Sequence, residues 1–435
     1  MDLLTANDRL GQHAPSYYAA TANPHPERPA LLGGTTADVC VIGAGFTGLS
    51  TALHLAEKGF SVVLLDAHRV GWGASGRNGG QIATGPRVAM RQLEAEVGPS
   101  RAAELWRIAL DAKGVLRDRV ARHAIACDLK AGAVHGEVTK AGARHAHEEA
   151  AHLAERYGYG HITPLDRKEI RIETGSDYYA GGYFDADAGH LHPLNYALGL
   201  ARAAMSAGVQ IFETSPVRRI TDTTPQKIET PQGHVLAEQV VFATNGYTGD
   251  LAPPIGERVM PINNFIAATE PLGPDRARAM IPSDGCVADS QFVVNYYRFS
   301  ADNRMLFGGG ETYSYRFPRD IAGLVRARMA AVYPALRDVR IDYAWGGTLG
   351  ITLRRMPYFA RLGPRRIVAA GYSGQGVAMT SVAGRLVAEA VAGEAGGFDT
   401  MAALRHTRFP GGGRLRHPLL VLAMSWYALR DRLGF

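Results

Sequence analysis

The chain predicts an α/β fold in which a parallel sheet wrapped by helices is interleaved with an α+β domain built on an antiparallel sheet. Three observations carry that expectation. A strand, glycine turn, helix and second strand follow one another near the start; later segments return to the same sheet; and strands without intervening long helices follow one another from residue 261 to residue 310. With 435 residues, the chain has room for two domains of ~100–200 residues each.

Residues 1–36 read as a lead segment running over the surface, with 16–36 rich in Pro, Ala and Gly. Residues 38–42 then form an apolar strand, and Gly43, Gly45 and Gly48 give GxGxxG before a helix over 46–58 that Gly59 ends. Gly43 permits the tight turn, Gly45 lets a pyrophosphate approach the backbone, and Gly48 lets the helix pack on the sheet with its N–H groups facing the phosphates. A second strand over 61–65 ends at Asp66, eighteen residues past Gly48, where a carboxylate can accept from both ribose hydroxyls. This is a dinucleotide-binding βαβ unit, hence a Rossmann-type domain, and glycines of ordinary turns would not arrive in this order.

Residues 71–81, GWGASGRNGGQ, hold five glycines in eleven positions and read as an extended loop with its backbone exposed to a ligand. Helices are expected over 87–122 and 141–157, with a hairpin over 128–139 between them. A helix over 193–207, a strand over 209–213 and Ser215-Pro216-Val217 make a second pass through the nucleotide domain, with Val217 offering its backbone to adenine. A strand over 239–243 ends in the corner ATNGY, at the carboxyl edge of the sheet. Residues 261–270, 292–299 and 305–310 supply the antiparallel sheet. A strand over 366–370, the turn GYSGQG over 371–376 and an Ala-rich helix over 377–391 make the last pass, and that turn aims a second positive helix end at the first cofactor. The expected division is thus 37–90, 185–250 and 340–395 for the nucleotide domain and 91–184 and 251–339 for the substrate domain. Residues 396–435 form a docking segment.

Composition excludes several classes. Apolar residues at 46% and charged residues at 20% describe an ordinary globular enzyme. The net charge of +6 comes from scattered arginines, with no dense basic run, so no nucleic-acid partner is expected. Cys40, Cys127 and Cys286 are widely separated and imply neither disulfide nor metal site, and with no secretory signal a reducing cytoplasm is the default. The apolar stretch 418–429 falls short of the ~20 residues that span a bilayer, so no transmembrane segment is expected, although flanking arginines leave peripheral membrane contact open.

The extra glycine loop favours FAD over a nicotinamide, because a flavin needs backbone contact along its whole length. Here the motifs VIGAGFTGLSTALHLAEKGFSVVLLD, GWGASGRNGGQ, ATNGY and GYSGQGVAMT resemble those of the FAD-dependent amine and amino-acid oxidoreductases of the D-amino-acid oxidase superfamily. The resemblance implies noncovalently bound FAD, and a substrate domain whose antiparallel sheet covers the flavin. It also implies oxidation of a C–N bond to an imine that hydrolyses, with oxygen or an electron carrier accepting the electrons. By the same resemblance Gly43, Ala44, Gly45, Phe46, Thr47 and Gly48 bind the pyrophosphate, Asp66 the ribose and Val217 adenine. Ser75, Arg77, Asn78, Gly79 and Gly80 line the flavin and its ribityl chain, and Gly374, Gln375, Gly376 and Val377 lie by its pyrimidine end.

The implied substrate is a small amine derived from a polyamine, such as gamma-glutamylputrescine. Tyr296, Tyr297, Tyr313 and Trp345 are candidates for an aromatic cage around the amine, each with core packing as the alternative. Arg298, Arg354 or Arg355 are candidates to hold a glutamyl carboxylate, each with surface solvation as the alternative. His190 and His192 flank a helix start and read as structural. Related amine oxidases place a lysine by the flavin to assist oxygen; here the matching position reads as Leu306, and no lysine follows Lys227, which leaves an electron-carrier-linked dehydrogenase open. A D-amino-acid or N-methylamino-acid dehydrogenase, and a flavin-binding protein without turnover, are the alternatives.

Overall fold

The computed structural model describes residues 2–291, 293–312 and 314–411, and the apolar stretch 418–429 and Tyr313 lie outside them. Two sheets divide the strands. The first runs Tyr358–Arg361, Arg366–Ala370, Gly233–Phe242, Gly33–Ile42, Val62–Leu65, Gln210–Phe212, and along this row every pairing after the first is parallel. Its central strands are apolar on both faces, as a sheet covered on both sides requires: Val39, Cys40, Val41 and Ile42 are all buried, and so are Val62, Val63, Leu64 and Leu65. The helices Phe46–Glu57, Pro193–Ser206 and Gly376–Val391 pack against one another on one face. Ser50 Oγ donates to the Ser381 carbonyl at 2.8 Å and Tyr196 hydroxyl meets Ser381 Oγ at 2.9 Å, which ties the three together.

The second sheet runs Ile341–Ile351, Met260–Pro271, Arg304–Thr312, Tyr296–Phe299, Cys286–Asp289, Lys130–Glu137, Gly181–His190, Gln81–Ile82. It is antiparallel except where Cys286–Asp289 meets Lys130–Glu137. Its outer face packs on the helix Ile321–Val332 through Phe307, Val325 and Met329. Among the described residues, no helix is long and apolar enough to cross a membrane.

Several expected boundaries move. Ile341–Ile351 pairs along its length with Met260–Pro271, so the residues just past 340 belong to the second sheet, as do 81–82 and 185–190. The hairpin over 128–139 is a single strand, Lys130–Glu137, because both its neighbours come from distant segments. The helix over 87–122 is two, Met90–Val97 and Pro99–Arg122, broken at Gly98 with φ 84° followed by a proline. The lead segment also enters the core: Tyr18 is fully buried, edge-on to Trp345 at 5.2 Å. In the docking segment, the helix Gly396–Ala402 buries Phe398 against Phe359.

Candidate active site

The carboxyl ends of the parallel strands open onto a cavity of about 680 Å³ that continues beneath the second sheet. Volume and concavity are those of a ligand site. One end is the glycine turn. Gly43, Gly45, Phe46 and Thr47 line it, while Gly48 shapes it from behind, because a Cβ at Gly48 would overlap the carbonyl oxygen of Gly43. Ala44 likewise acts from behind, its N–H donating to Asp66 Oδ2 at 2.6 Å. Asp66 faces the cavity, accepts a second bond from the His68 N–H at 2.7 Å, and is pushed up to about 6 by burial against those two bonds. Ser215 and Val217 complete this end.

The second glycine turn returns to the same cavity. Ser373, Gly374, Gln375, Gly376 and Val377 line it, so two long helices, Phe46–Glu57 and Gly376–Val391, present their amino ends to one space. Three bonds hold the turns in register: Tyr372 hydroxyl with Thr47 Oγ1 at 2.8 Å, Gly371 N–H to Asn245 Oδ1 at 2.9 Å, and Gln375 Nε2 to the Gly85 carbonyl at 2.8 Å. The Asn245 bond gives the ATNGY corner its role.

The 71–81 loop forms the wall between the sheets. Ser75, Arg77, Asn78 and Gly79 line the cavity, whereas Gly80, at φ 78°, turns into the second sheet and accepts from Leu191 N–H. Side chains brace the loop so that its backbone faces inward. Ser75 Oγ accepts from Phe46 N–H at 2.9 Å, and Asn78 Oδ1 accepts from Gly80 N–H at 2.7 Å. The Arg77 guanidinium donates to the Trp72 carbonyl at 2.6 Å and to Asp8 at 3.0 Å, so its charge is neutralised there rather than offered to a ligand.

Most of the expected substrate residues serve other ends. Arg298 is buried and donates to the carbonyls of Gly79, Leu191 and Phe299 at 2.9–3.2 Å, bracing the loop. Trp345 donates its indole N–H to the Arg77 carbonyl at 3.0 Å and does the same work. Tyr297 stacks on Phe307 inside the second core. Arg354 reaches outward to Glu96 and the Arg405 carbonyl. Tyr296 and Arg355 do line the cavity. No aromatic cage assembles from the expected set among the described residues; Tyr296 instead packs over Gly79 and Gly308 and donates to Asn264 Oδ1. His190 and His192 are buried, as structural residues would be, with burial holding each well below the ordinary histidine range.

Sequence reasoning passed over Arg87, Glu311 and Tyr183, all of which line the cavity. Neither guanidinium of Arg87 and Arg355 bonds or pairs with a described residue, though each acts on the other, and burial together with Arg355 lowers Arg87 from its ordinary value. Glu311 is pushed up to about 7 by burial, which outweighs Arg355, Arg328 and Arg87. A charge directly after GGG in an apolar strand was a signal that could have found it.

Leu306 does not line the cavity; it is 2% exposed in the core between the sheets. Leu306→Lys is therefore expected to bury an unpaired ammonium and cost about 3–5 kcal/mol of stability rather than quicken flavin reoxidation. A melting-temperature series checks it.

These residues fit FAD: a pyrophosphate turn, a ribose acid, a backbone wall and a second helix end line one elongated cavity. The family model for DAO, FAD dependent oxidoreductase, matches residues 38–390. The chain is 42% identical to gamma-glutamylputrescine oxidoreductase of Escherichia coli (strain K12), covering 98% of this chain and all of that one. It is 40% identical to the probable oxidoreductase OrdL of Rhizobium meliloti (strain 1021), over 96% and 97% of the two chains. Among solved structures, glycine oxidase from Geobacillus kaustophilus superposes with a TM-score of 0.69 at 22% identity, over 82% of this chain and 95% of that one, a likeness of fold. With a family model spanning both glycine turns and relatives matched end to end, the chain belongs to the DAO family and is an FAD-dependent amine oxidoreductase.

Proposed function

We propose that the chain oxidises the C–N bond of an amine whose far end carries a carboxylate, as gamma-glutamylputrescine does. The single observation that carries this reading is the pair Arg87 and Arg355, two guanidiniums with no hydrogen bond or close ion pair among the described residues, in the cavity that the 71–81 loop lines. A carboxylate held by both gains charge-assisted, planar hydrogen bonds and removes their mutual repulsion. They replace Arg298 and Arg354 as the anchors. Binding energy gathered on the carboxylate, outside the bond that reacts, favours orientation of the amine.

FAD, noncovalently held, supplies the two-electron acceptor when bound, so that the amine leaves as an imine that water hydrolyses to aldehyde and ammonia. The protein's part is positioning. Tyr296, fixed between Gly79 and Gly308 with its hydroxyl on Asn264, forms the floor beneath the reacting end. No lysine lines the cavity among the described residues, which supports an acceptor besides oxygen as readily as an oxidase giving hydrogen peroxide. The three free, buried cysteines suit a cytoplasmic setting.

Anaerobic mixing tests this. Gamma-glutamylputrescine is expected to bleach the flavin faster than putrescine, and acid is expected to release intact FAD. Equal rates for the two amines would remove the carboxylate from recognition, and a preference for D-alanine or sarcosine would assign an amino-acid dehydrogenase instead.

A further inference from the structure

The strand Arg304–Thr312 carries one residue too many for its partner. Between Ile266, opposite Gly308, and Asn264, opposite Glu311, the neighbouring strand advances two residues and this one three, with Gly310 at φ 89°. Such a bulge re-aims side chains. Ile266 and Asn264 both line the cavity, so the extra residue turns Glu311, which regular alternation from Gly308 would send to the far core, onto the cavity face beside Asn264. Asn264 accepts the Tyr296 hydroxyl, and Tyr296 lies on Gly79 of the flavin loop. Neither Glu311 oxygen has a hydrogen-bond or ion-pair partner among the described residues. A half-buried carboxylate carried onto a ligand-facing floor by a backbone irregularity, and left without a donor among the described residues, is reserved for the ligand.

We propose that Glu311 is a catalytic base that takes the proton from the substrate ammonium before oxidation. The step balances simply: one N–H bond of RCH2NH3⁺ breaks, one O–H bond forms on the Glu311 carboxylate, and RCH2NH2 and a carboxylic acid result with no electron transferred. The neutral amine's lone pair is what C–N oxidation requires, and an alkylammonium with a pKa of ~10 would otherwise offer it in only about one molecule in a thousand at neutral pH. The groups that act on Glu311 come from several elements: Arg87 from the loop before Met90–Val97, Arg355 after Ile341–Ile351, Arg328 from Ile321–Val332, and Tyr296. Burial sets the balance near neutrality, where a carboxylate can both accept and return a proton.

This inference rests on the amine-oxidising reading but can fail separately. In wild type, anaerobic flavin reduction is expected to rise with pH through about 7, as Glu311 ionises. Glu311→Gln is expected to be ~100-fold slower near neutral pH and to regain rate only towards the amine's own pKa of ~10, with Glu311→Asp intermediate. A second readout needs no turnover. Calorimetry at about pH 8, in buffers of different ionisation enthalpy, counts protons released when the FAD-loaded enzyme binds a tert-alkyl amine that lacks an α-hydrogen. Wild type is expected to release almost none, because the proton stays on Glu311; Glu311→Gln should release about one. Equal proton counts, or a KM raised uniformly with an unmoved pH profile, would overturn the assignment. If no amine bleaches the flavin, the amine-oxidising reading fails on its own account.

Discussion

Gly48→Ala is expected to yield protein without FAD and with a lowered melting temperature. The added methyl would overlap the Gly43 carbonyl, which is backbone and cannot swing aside. Either the Phe46–Glu57 helix lifts from the sheet or the Gly43–Gly45 turn opens, and each displaces the N–H groups proposed to receive the pyrophosphate. Gly45→Val separates the two effects. Gly45 faces the cavity and the Ser75 hydroxyl, so its side chain obstructs the ligand while leaving the strand–helix packing intact. Flavin-to-protein absorbance ratios with thermal melts of the apoproteins distinguish them: both variants lose FAD, and Gly48→Ala, which meets backbone rather than the Ser75 hydroxyl, loses more stability. Normal FAD content in either would displace the phosphate turn from residues 43–48.

The second large effect is on recognition. Arg87→Ala should lower kcat/KM for gamma-glutamylputrescine by ~30–200-fold, corresponding to about 2–3 kcal/mol for loss of one partner of a partly desolvated charge pair, with putrescine affected less, through Glu311 alone. Arg355→Ala should act in the same direction, and the double variant should fall short of the product of the two. Each guanidinium in the wild type suffers the other's repulsion, so removing one eases the remaining one. A loss shared equally by the two substrates would show the arginines acting on the reacting end instead.

Chain-local features carried most of the nucleotide side into view. Residues 43–48, Asp66 and the 371–376 turn are contiguous motifs whose geometry is set within a few residues, and they fall on the cavity or directly behind its wall. The substrate side is assembled from distant segments. Lys130–Glu137 gives no hint in itself that its neighbours are Gly181–His190 and Cys286–Asp289. Glu311 was hidden for a sharper reason: alternation fixes which face a strand residue occupies, and one inserted residue inverts it. Arg298 and Trp345 were recognised as important for the wrong work, since composition suggests that an arginine or tryptophan is buried for a purpose but not whether it meets ligand or backbone.

That bracing has a consequence for how the protein endures heat and dilution. Arg298 and Trp345 belong to the second sheet, yet their hydrogen bonds end on Gly79 and Arg77, whose loop lines the cavity at the carboxyl edge of the first. Ligand occupancy and the joining of the two halves are therefore one linked equilibrium. A FAD concentration a hundredfold above its dissociation constant adds ~2.7 kcal/mol to the cohesion of the whole molecule. Flavin supply thus acts as a structural variable: at sub-saturating FAD the protein is expected to melt earlier, in addition to turning over less.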